Sequence, residues 1–141
     1  MRRARTAAPL TALTLALLLP QAAHATPPTG VSSVIVAKTT HAGRDYVVRE
    51  ITIGPGGGTG WHFHRGTLYA RVRVGTLTHT AADCVTIRTY HAGDSLVEPS
   101  GPQHVHMGEN RGPGPLVLDV LYVNPAGSAL SEDAPAPPCA A

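Results

Sequence analysis

The chain has 141 residues, of which 43% are hydrophobic and only 14% are charged. Its formal net charge is +2 at pH 7, but three of its 11 basic residues lie within the first 25 positions, which leaves 8 basic and 9 acidic residues in the rest. This balance excludes the basic surface typical of a nucleic-acid-binding protein. The remaining stretch of about 116 residues predicts one domain.

Residues 1–25 have the pattern of an export signal. A basic start precedes an apolar run from Ala7 to Leu19, and Ala23-His24-Ala25 has the small-x-small form of a cleavage site. We therefore expect a cleaved signal peptide over residues 1–25 and a secreted, extracellular protein that begins near Thr26. The apolar run is shorter than a membrane span of about 20 residues, so no stable membrane association is expected.

After a short lead-in at residues 26–30, apolar and β-branched residues recur with a period of two, and no helical periodicity is found. In Thr67–Val74, for example, Leu68, Ala70 and Val72 alternate with polar or aromatic neighbours, as in a strand with one buried face. The predicted strands are Val31–Lys38, Asp45–Ile53, Thr67–Val74, Thr76–Thr80, Cys84–Tyr90, Ser95–Glu98 and Leu116–Val123, the last of them central.

Glycine and proline lie between these segments, and we interpret Gly54–Gly60 as a turn. Short strands at close spacing predict an all-β, single-domain antiparallel barrel or sandwich over residues 31–126. Residues 127–141 form a proline-rich tail that we expect on the surface. Because export places Cys84 and Cys139 in an oxidising compartment, we expect a disulfide that fastens this tail to the body. Two free thiols are the alternative.

Two histidine pairs are the most informative local feature. His62 and His64 are two residues apart, and so are His104 and His106, so that each pair shares a face if its backbone is extended. Neutral imidazoles that converge on one point can chelate a first-row transition metal. Of the other four histidines, His24 lies in the expected signal peptide, and His41, His79 and His91 are interpreted as ordinary surface or core residues.

The two segments resemble the two sequence motifs of the cupin superfamily. Gly56, His62, His64 and Gly75 match the first motif, and Gly93, Pro99, Gly101 and Asn110 match the second. The resemblance covers about Val31 to Ala126 and implies a jelly-roll barrel with a divalent transition metal (Zn, Fe, Ni, Cu or Mn) inside it. It also implies a small-molecule ligand or substrate and a homodimer as one assembly of the chain.

The chain departs from the cupin pattern at two points. The glutamate of the first motif falls on Leu68, and Glu98, which adjoins Pro99, is not expected to reach the site. Counting from Gly101 selects His104 as the third ligand, whereas counting back from Asn110 selects His106, which we favour. The sequence thus predicts an all-histidine site of His62, His64 and His106, with His104 as a fourth ligand in place of the carboxylate.

The resemblance leaves the function open between two classes. The first is a secreted, metal-binding cupin that binds a small organic molecule, with dioxygenase-type or isomerase chemistry if it is an enzyme. The second is a non-catalytic binding module that has lost its metal and keeps its imidazoles hydrogen-bonded to one another or to water.

Overall fold

A computed structural model describes residues 25–140, so most of the expected signal peptide lies outside the described residues. The strands are β1 Thr29–His41, β2 Arg44–Gly58, β3 His62–Phe63, β4 Thr67–Val74, β5 Thr76–Ala81, β6 Ile87–His91, β7 Ser95–Glu98, β8 His106–Glu109, β9 Leu116–Pro125 and β10 Glu132–Asp133. Two short 3-10 turns span Pro102–His104 and Pro138–Ala140.

All ten strands belong to one antiparallel sheet. Its main path runs β10-β3-β8-β2-β9-β4-β7, while β1 pairs with β2, and β5 pairs with both β6 and β8. The sheet curls into a nearly closed barrel, which confirms the predicted all-β fold class. Between residues 25 and 140, no helix is long and apolar enough to cross a membrane.

The core lies inside the barrel, because buried and less buried residues alternate along β2, β4 and β9. On β9, Leu116, Leu118, Val120 and Tyr122 are all at most 6% exposed, and the residues between them are less buried. Strand β9 lies between β2 and β4, as its apolar sequence predicts. Every second side chain of three neighbouring strands therefore points into the same interior.

The glycine-rich segment is a strand over most of its length rather than the predicted turn. Strand β2 continues to Gly58, which pairs with Glu109 of β8. A Cβ at Gly57 would lie 2.6 Å from the carbonyl oxygen of Thr29, and Gly60 has a φ of +70°. Glycine is needed at position 57 because the backbones of β1 and β2 approach closely there. From Gly60 the chain then continues to His62.

The predicted strand at Cys84 begins three residues later, at Ile87. The carboxylate of Asp83 accepts hydrogen bonds from the backbone N–H groups of Val85 and Thr86, at 3.0 and 2.8 Å. This side-chain-to-backbone turn competes with strand pairing. Cys84 lies within it and forms a disulfide with Cys139, so the predicted bond is confirmed.

The tail is more deeply integrated than its composition predicts. Strand β10 pairs with β3, with Asp133 opposite His62. Ala134 is only 5% exposed, and Leu130 packs against the core. The expectation that the tail lies wholly on the surface is therefore wrong, because it supplies an edge strand beside the first histidine pair.

Candidate metal centre

Three of the predicted histidines converge inside the barrel. His62 lies on β3, His64 follows it, and His106 opens β8 directly opposite His62 in the antiparallel register. The three residues are 8%, 2% and 4% exposed. Their ring centroids lie 4.5 to 5.2 Å apart. Imidazoles are seldom packed this closely in a small core without a shared partner.

The same kind of hydrogen bond fixes the orientation of all three rings. Each Nδ1 bonds to a backbone carbonyl, which can only accept, so that Nδ1 carries the proton and the Nε2 of the neutral ring keeps its lone pair. The pairs are His62 with Gly60 (3.0 Å), His64 with Leu130 (2.8 Å) and His106 with His104 (2.8 Å). This arrangement is typical of metal-ligating histidines, in which the ring nitrogen that does not bind the metal donates a hydrogen bond to a carbonyl or carboxylate.

Glu98, at the end of β7, supplies a carboxylate to the group. Its Oε2 lies 2.9 Å from His64 Nε2 and 3.1 Å from His106 Nε2. Glu98 pairs with Leu68 across β4 and β7, and the side chains of a directly opposed pair share one face of the sheet. The expectation that Glu98 does not reach the site is therefore wrong, because the neighbouring strand replaces the carboxylate that Leu68 lacks.

The buried charges of this group perturb one another. Burial by itself raises the pKa of Glu98, but the close imidazoles of His106, His64 and His79 hold that pKa well below its usual value. Burial tends to lower the pKa of His106, yet the Glu98 carboxylate outweighs it and raises this pKa. Burial, helped by the neighbouring His106 and His64, lowers the pKa of His62 to about 4. At neutral pH the His62 ring is therefore uncharged, and its Nε2 lone pair can be donated to a metal ion.

The residues fit a divalent transition metal. One ligand atom from each of His62, His64, Glu98 and His106 lies within 4.8 Å of the others. Among the described residues, neither His64 Nε2 nor His106 Nε2 has a hydrogen-bond partner of acceptable geometry, although both are buried. Three imidazole nitrogens and one carboxylate oxygen form a donor set suited to Zn, Fe, Ni or Cu.

His104 lies outside this group. Pro102–His104 is a 3-10 turn rather than extended backbone, so the shared face predicted for His104 and His106 does not form. The His104 side chain is exposed, and the residue contributes its backbone carbonyl to His106 instead. Proline sets this turn because its fixed φ favours the first position of a helical turn.

His79, which the sequence analysis interpreted as an ordinary residue, lies beside the site. Its Nε2 is 3.3 Å from Glu98 Oε1, and its ring stacks on His106 at 4.8 Å. It reaches the site because β5 pairs with β8, with His79 opposite Gly108. A single sequence carries no signal for this contact, since His79 has no spacing relationship to either histidine pair.

The four residues border a cavity of about 160 Å³ inside the barrel. Its remaining wall is mostly apolar, and Arg49, Asp133 and Tyr122 are its other charged or large polar side chains. The Tyr122 ring packs edge-on against His64, with 5.8 Å between ring centroids. The apolar wall includes Ile51, Leu68, Ala70, Leu77, Leu118 and Val120. An apolar cavity with a few convergent polar groups is the usual form of a small-molecule site.

Comparison with known proteins agrees with this architecture. A family model described as the cupin domain matches residues 49–123, more than half of the chain. Among curated proteins, none matches the sequence.

Several solved structures share the fold. The polyketide cyclase RemF from Streptomyces resistomycificus is 20% identical, with a TM-score of 0.60 over 78% of this chain and 72% of that one. A protein with a double-stranded beta-helix domain from Klebsiella pneumoniae is 24% identical, with a TM-score of 0.58 over 77% and 84%. A cupin-2 domain from Rhodospirillum rubrum is 15% identical, with a TM-score of 0.61 over 75% and 66%. At these identities the likeness concerns the fold alone.

Proposed function

This chain belongs to the cupin superfamily, and from that premise we propose that it is a metal-dependent cupin that binds a small organic molecule in its barrel. One observation carries the proposal: three Nδ1 groups are tied to backbone carbonyls, so that three Nε2 atoms converge with the Glu98 carboxylate. In the neutral rings these Nε2 atoms are acceptors, and a cation is the partner that four converging acceptors require.

His62, His64, Glu98 and His106 would hold the metal. When bound there, a divalent metal supplies Lewis-acid polarisation of a ligand oxygen and, for a redox-active ion, oxygenase-type chemistry. The chain's own residues do the rest. The apolar wall borders the ligand, the carbonyl contacts fix the imidazole rings, and His79 Nε2 lies 3.3 Å from the outer oxygen of Glu98.

Metal analysis of protein purified without a histidine tag tests the proposal. We expect about one transition-metal ion per chain, as a single four-residue site requires, and loss of that metal in His62→Ala and Glu98→Gln. His104→Ala is the matched control, because it removes a neighbouring exposed imidazole but keeps the carbonyl that His106 uses. A metal content that is negligible in the wild type, or equal in all four proteins, would contradict the proposal.

A metal-free binding module is the second candidate, and one observation favours it. Glu98 Oε2 lies within ion-pair distance of His64 and His106, so a protonated His106 can compensate the charge of the carboxylate without a metal. Thermal unfolding with and without a chelator separates the two. A metal bound only to the native state raises the melting temperature, and the chelator then lowers it.

We also propose that the protein is exported. The basic, apolar and small-residue pattern of residues 1–25 supports this proposal, and so does the Cys84–Cys139 disulfide, since disulfides persist in oxidising compartments. N-terminal sequencing of protein from a culture supernatant or periplasm tests it. A mature N-terminus near Thr26 is expected, and an intact Met1 on cytosolic protein would contradict it.

A further inference from the structure

Arg49 occupies an inward position in the middle of β2. Its neighbours on the same face of the strand, Val47 and Ile51, are 1% and 8% exposed. Its partner across the sheet, Val120 of β9, is 2% exposed. Arg49 itself is half-buried and its guanidinium contact with Ser33 is exposed, so that its charge is only partly removed from water.

The charge of Arg49 has no carboxylate partner in residues 25–140, because none lies within ion-pair distance of its guanidinium. Its Nη2 donates a hydrogen bond to the neutral hydroxyl of Ser33 on β1, and Tyr122 is its other side-chain partner. Three arginines of the barrel surface do have carboxylate partners, whereas the exposed Arg44, Arg71 and Arg88 have none among the described residues. These pairs are Arg65 with Glu132, Arg73 with Glu50 and Arg111 with Glu109. Arg49 is thus held in place by Ser33 while its charge remains uncompensated.

Arg49 and the histidine–glutamate group border the same cavity. Tyr122 connects them. Its ring packs edge-on against His64, and Tyr122 borders the same cavity as Arg49 and Glu98. Burial raises the pKa of Tyr122, the Arg49 cation opposes that shift, and the Glu98 carboxylate adds to it. The cavity therefore has the metal-ligand group and a free cation in its wall, with apolar surface between them.

The size of the cavity limits what can bind. A cavity of about 150 Å³ in another protein is known to hold one benzene ring, and this one measures about 160 Å³. A ligand body of one ring or a short aliphatic chain therefore fits in this cavity. The apolar wall favours a hydrocarbon body. The guanidinium fork matches a carboxylate, which can accept two parallel hydrogen bonds from it.

We propose that the ligand of this cavity is a small organic monocarboxylate, whose carboxylate binds Arg49 and whose apolar body extends toward His62, His64, Glu98 and His106. This inference rests on the proposed function in one respect, namely that the histidine–glutamate group acts on the ligand. The orientation follows from Arg49, whose charge attracts the anionic end of the ligand, and from the apolar wall, which favours its hydrocarbon body.

Titration with paired probes tests the inference. Benzoate and butanoate are compared with benzamide and butanamide by calorimetry or by NMR shifts of cavity residues, using metal-loaded and chelator-treated protein. Each carboxylate should bind about tenfold or more tightly than its amide, as expected for hydrogen bonds to a charged group. Arg49→Met should abolish this preference, and Arg49→Lys should keep part of it. Arg71→Met is the matched control, because Arg71 is exposed on β4 and lies outside this cavity.

The outcomes separate this inference from the proposed function. If no carboxylate binds more tightly than its amide, or if Arg49→Met binds benzoate as the wild type does, the inference is wrong, whatever the metal content. Benzoate binding that needs the metal but not Arg49 overturns it as well.

If the wild type holds no metal, the proposed function fails, and an Arg49-dependent preference in the metal-free protein would still uphold the carboxylate site. Thermal unfolding of each variant confirms that it is folded.

Discussion

Glu98 on β7 lies directly opposite Leu68 on β4 in the antiparallel register. The first cupin motif places its carboxylate at the position of Leu68, and this chain carries it one strand away on the same face of the sheet. The Glu98 carboxylate therefore lies 2.9 Å from His64 Nε2, although it comes from β7 rather than from the position of Leu68 on β4. The pairing of two strands, rather than spacing along one motif, completes the site.

Replacing Glu98 by Gln should weaken metal binding strongly. The amide keeps the shape of the side chain but removes the anionic oxygen that faces His64 and His106. We expect the loss of affinity to exceed the roughly 10–100-fold typical of losing an outer-shell partner. Competition with a chromogenic chelator measures it. Glu132→Gln, a carboxylate outside the group, is the control, and equal affinity in Glu98→Gln and the wild type would exclude Glu98 as a ligand.

His79→Ala should lower metal affinity by about 10–100-fold, the range for residues that position a ligand. Its Nε2 lies 3.3 Å from the outer oxygen of Glu98, and without it this carboxylate is free to rotate. His79→Gln should restore part of the affinity because the amide can still donate a hydrogen bond. His91→Ala removes an exposed imidazole and should change nothing. The spectrum of bound Co²⁺ provides a second readout, and an unaltered spectrum in His79→Ala would argue against a positioning role.

Metal occupancy should fall as the pH decreases below roughly 6, because protons compete with metal for imidazole. The Glu98 carboxylate raises the pKa of His106, whereas burial lowers the pKa of His62 to about 4. His106 therefore takes up a proton before His62 as the pH falls. Calorimetry in two buffers of different ionisation enthalpy should show proton release on metal binding near pH 7. Full metal retention at about pH 4 would contradict this expectation.

Asp45→Asn should destabilise the protein at neutral pH and lose this effect in acid. Hydrogen bonds from Thr40 and Gly127, with help from Lys38, lower the pKa of Asp45 from 3.8 to about 2. Because its pKa is lower in the folded state, the ionised Asp45 carboxylate stabilises the fold fully at pH values above its unfolded-state pKa of about 4. This contribution disappears as the pH falls from about 4 through about 2. Urea unfolding of both proteins across this range measures it. Asp119→Asn is the control, and a stability difference that is unchanged at pH 2 would contradict the prediction.

Removing the disulfide with the pair of substitutions Cys84→Ala and Cys139→Ala should destabilise the fold. The two residues are 55 positions apart, and for a loop of that length the chain-entropy model gives about 4 kcal/mol. Urea unfolding of the double variant and of reduced wild type should show the same loss. Unchanged stability in both would mean that the tail is held by β10 and Leu130 rather than by the covalent bond.

The local pattern of the sequence predicted most of the fold. Alternation along Thr67–Val74 and Leu116–Val123 identified strands β4 and β9, because a strand exposes its side chains to opposite faces with a period of two. Gly54–Gly60 was misread because a glycine run indicates close backbone approach as well as a turn, and composition does not distinguish them.

The sequence by itself predicted the barrel from short-range periodicity and the disulfide from a single pair of cysteines. Its resemblance to the two cupin motifs predicted that His62 and His64 meet a histidine of the second pair, with His106 favoured over His104. Only the tertiary structure decided that Glu98 and His79 join the group, that His104 leaves it, and that Arg49 faces the same cavity. The physical reason is that these positions depend on which strands pair, in what register, and on one 3-10 turn at Pro102, none of which leaves a periodic signal in the sequence.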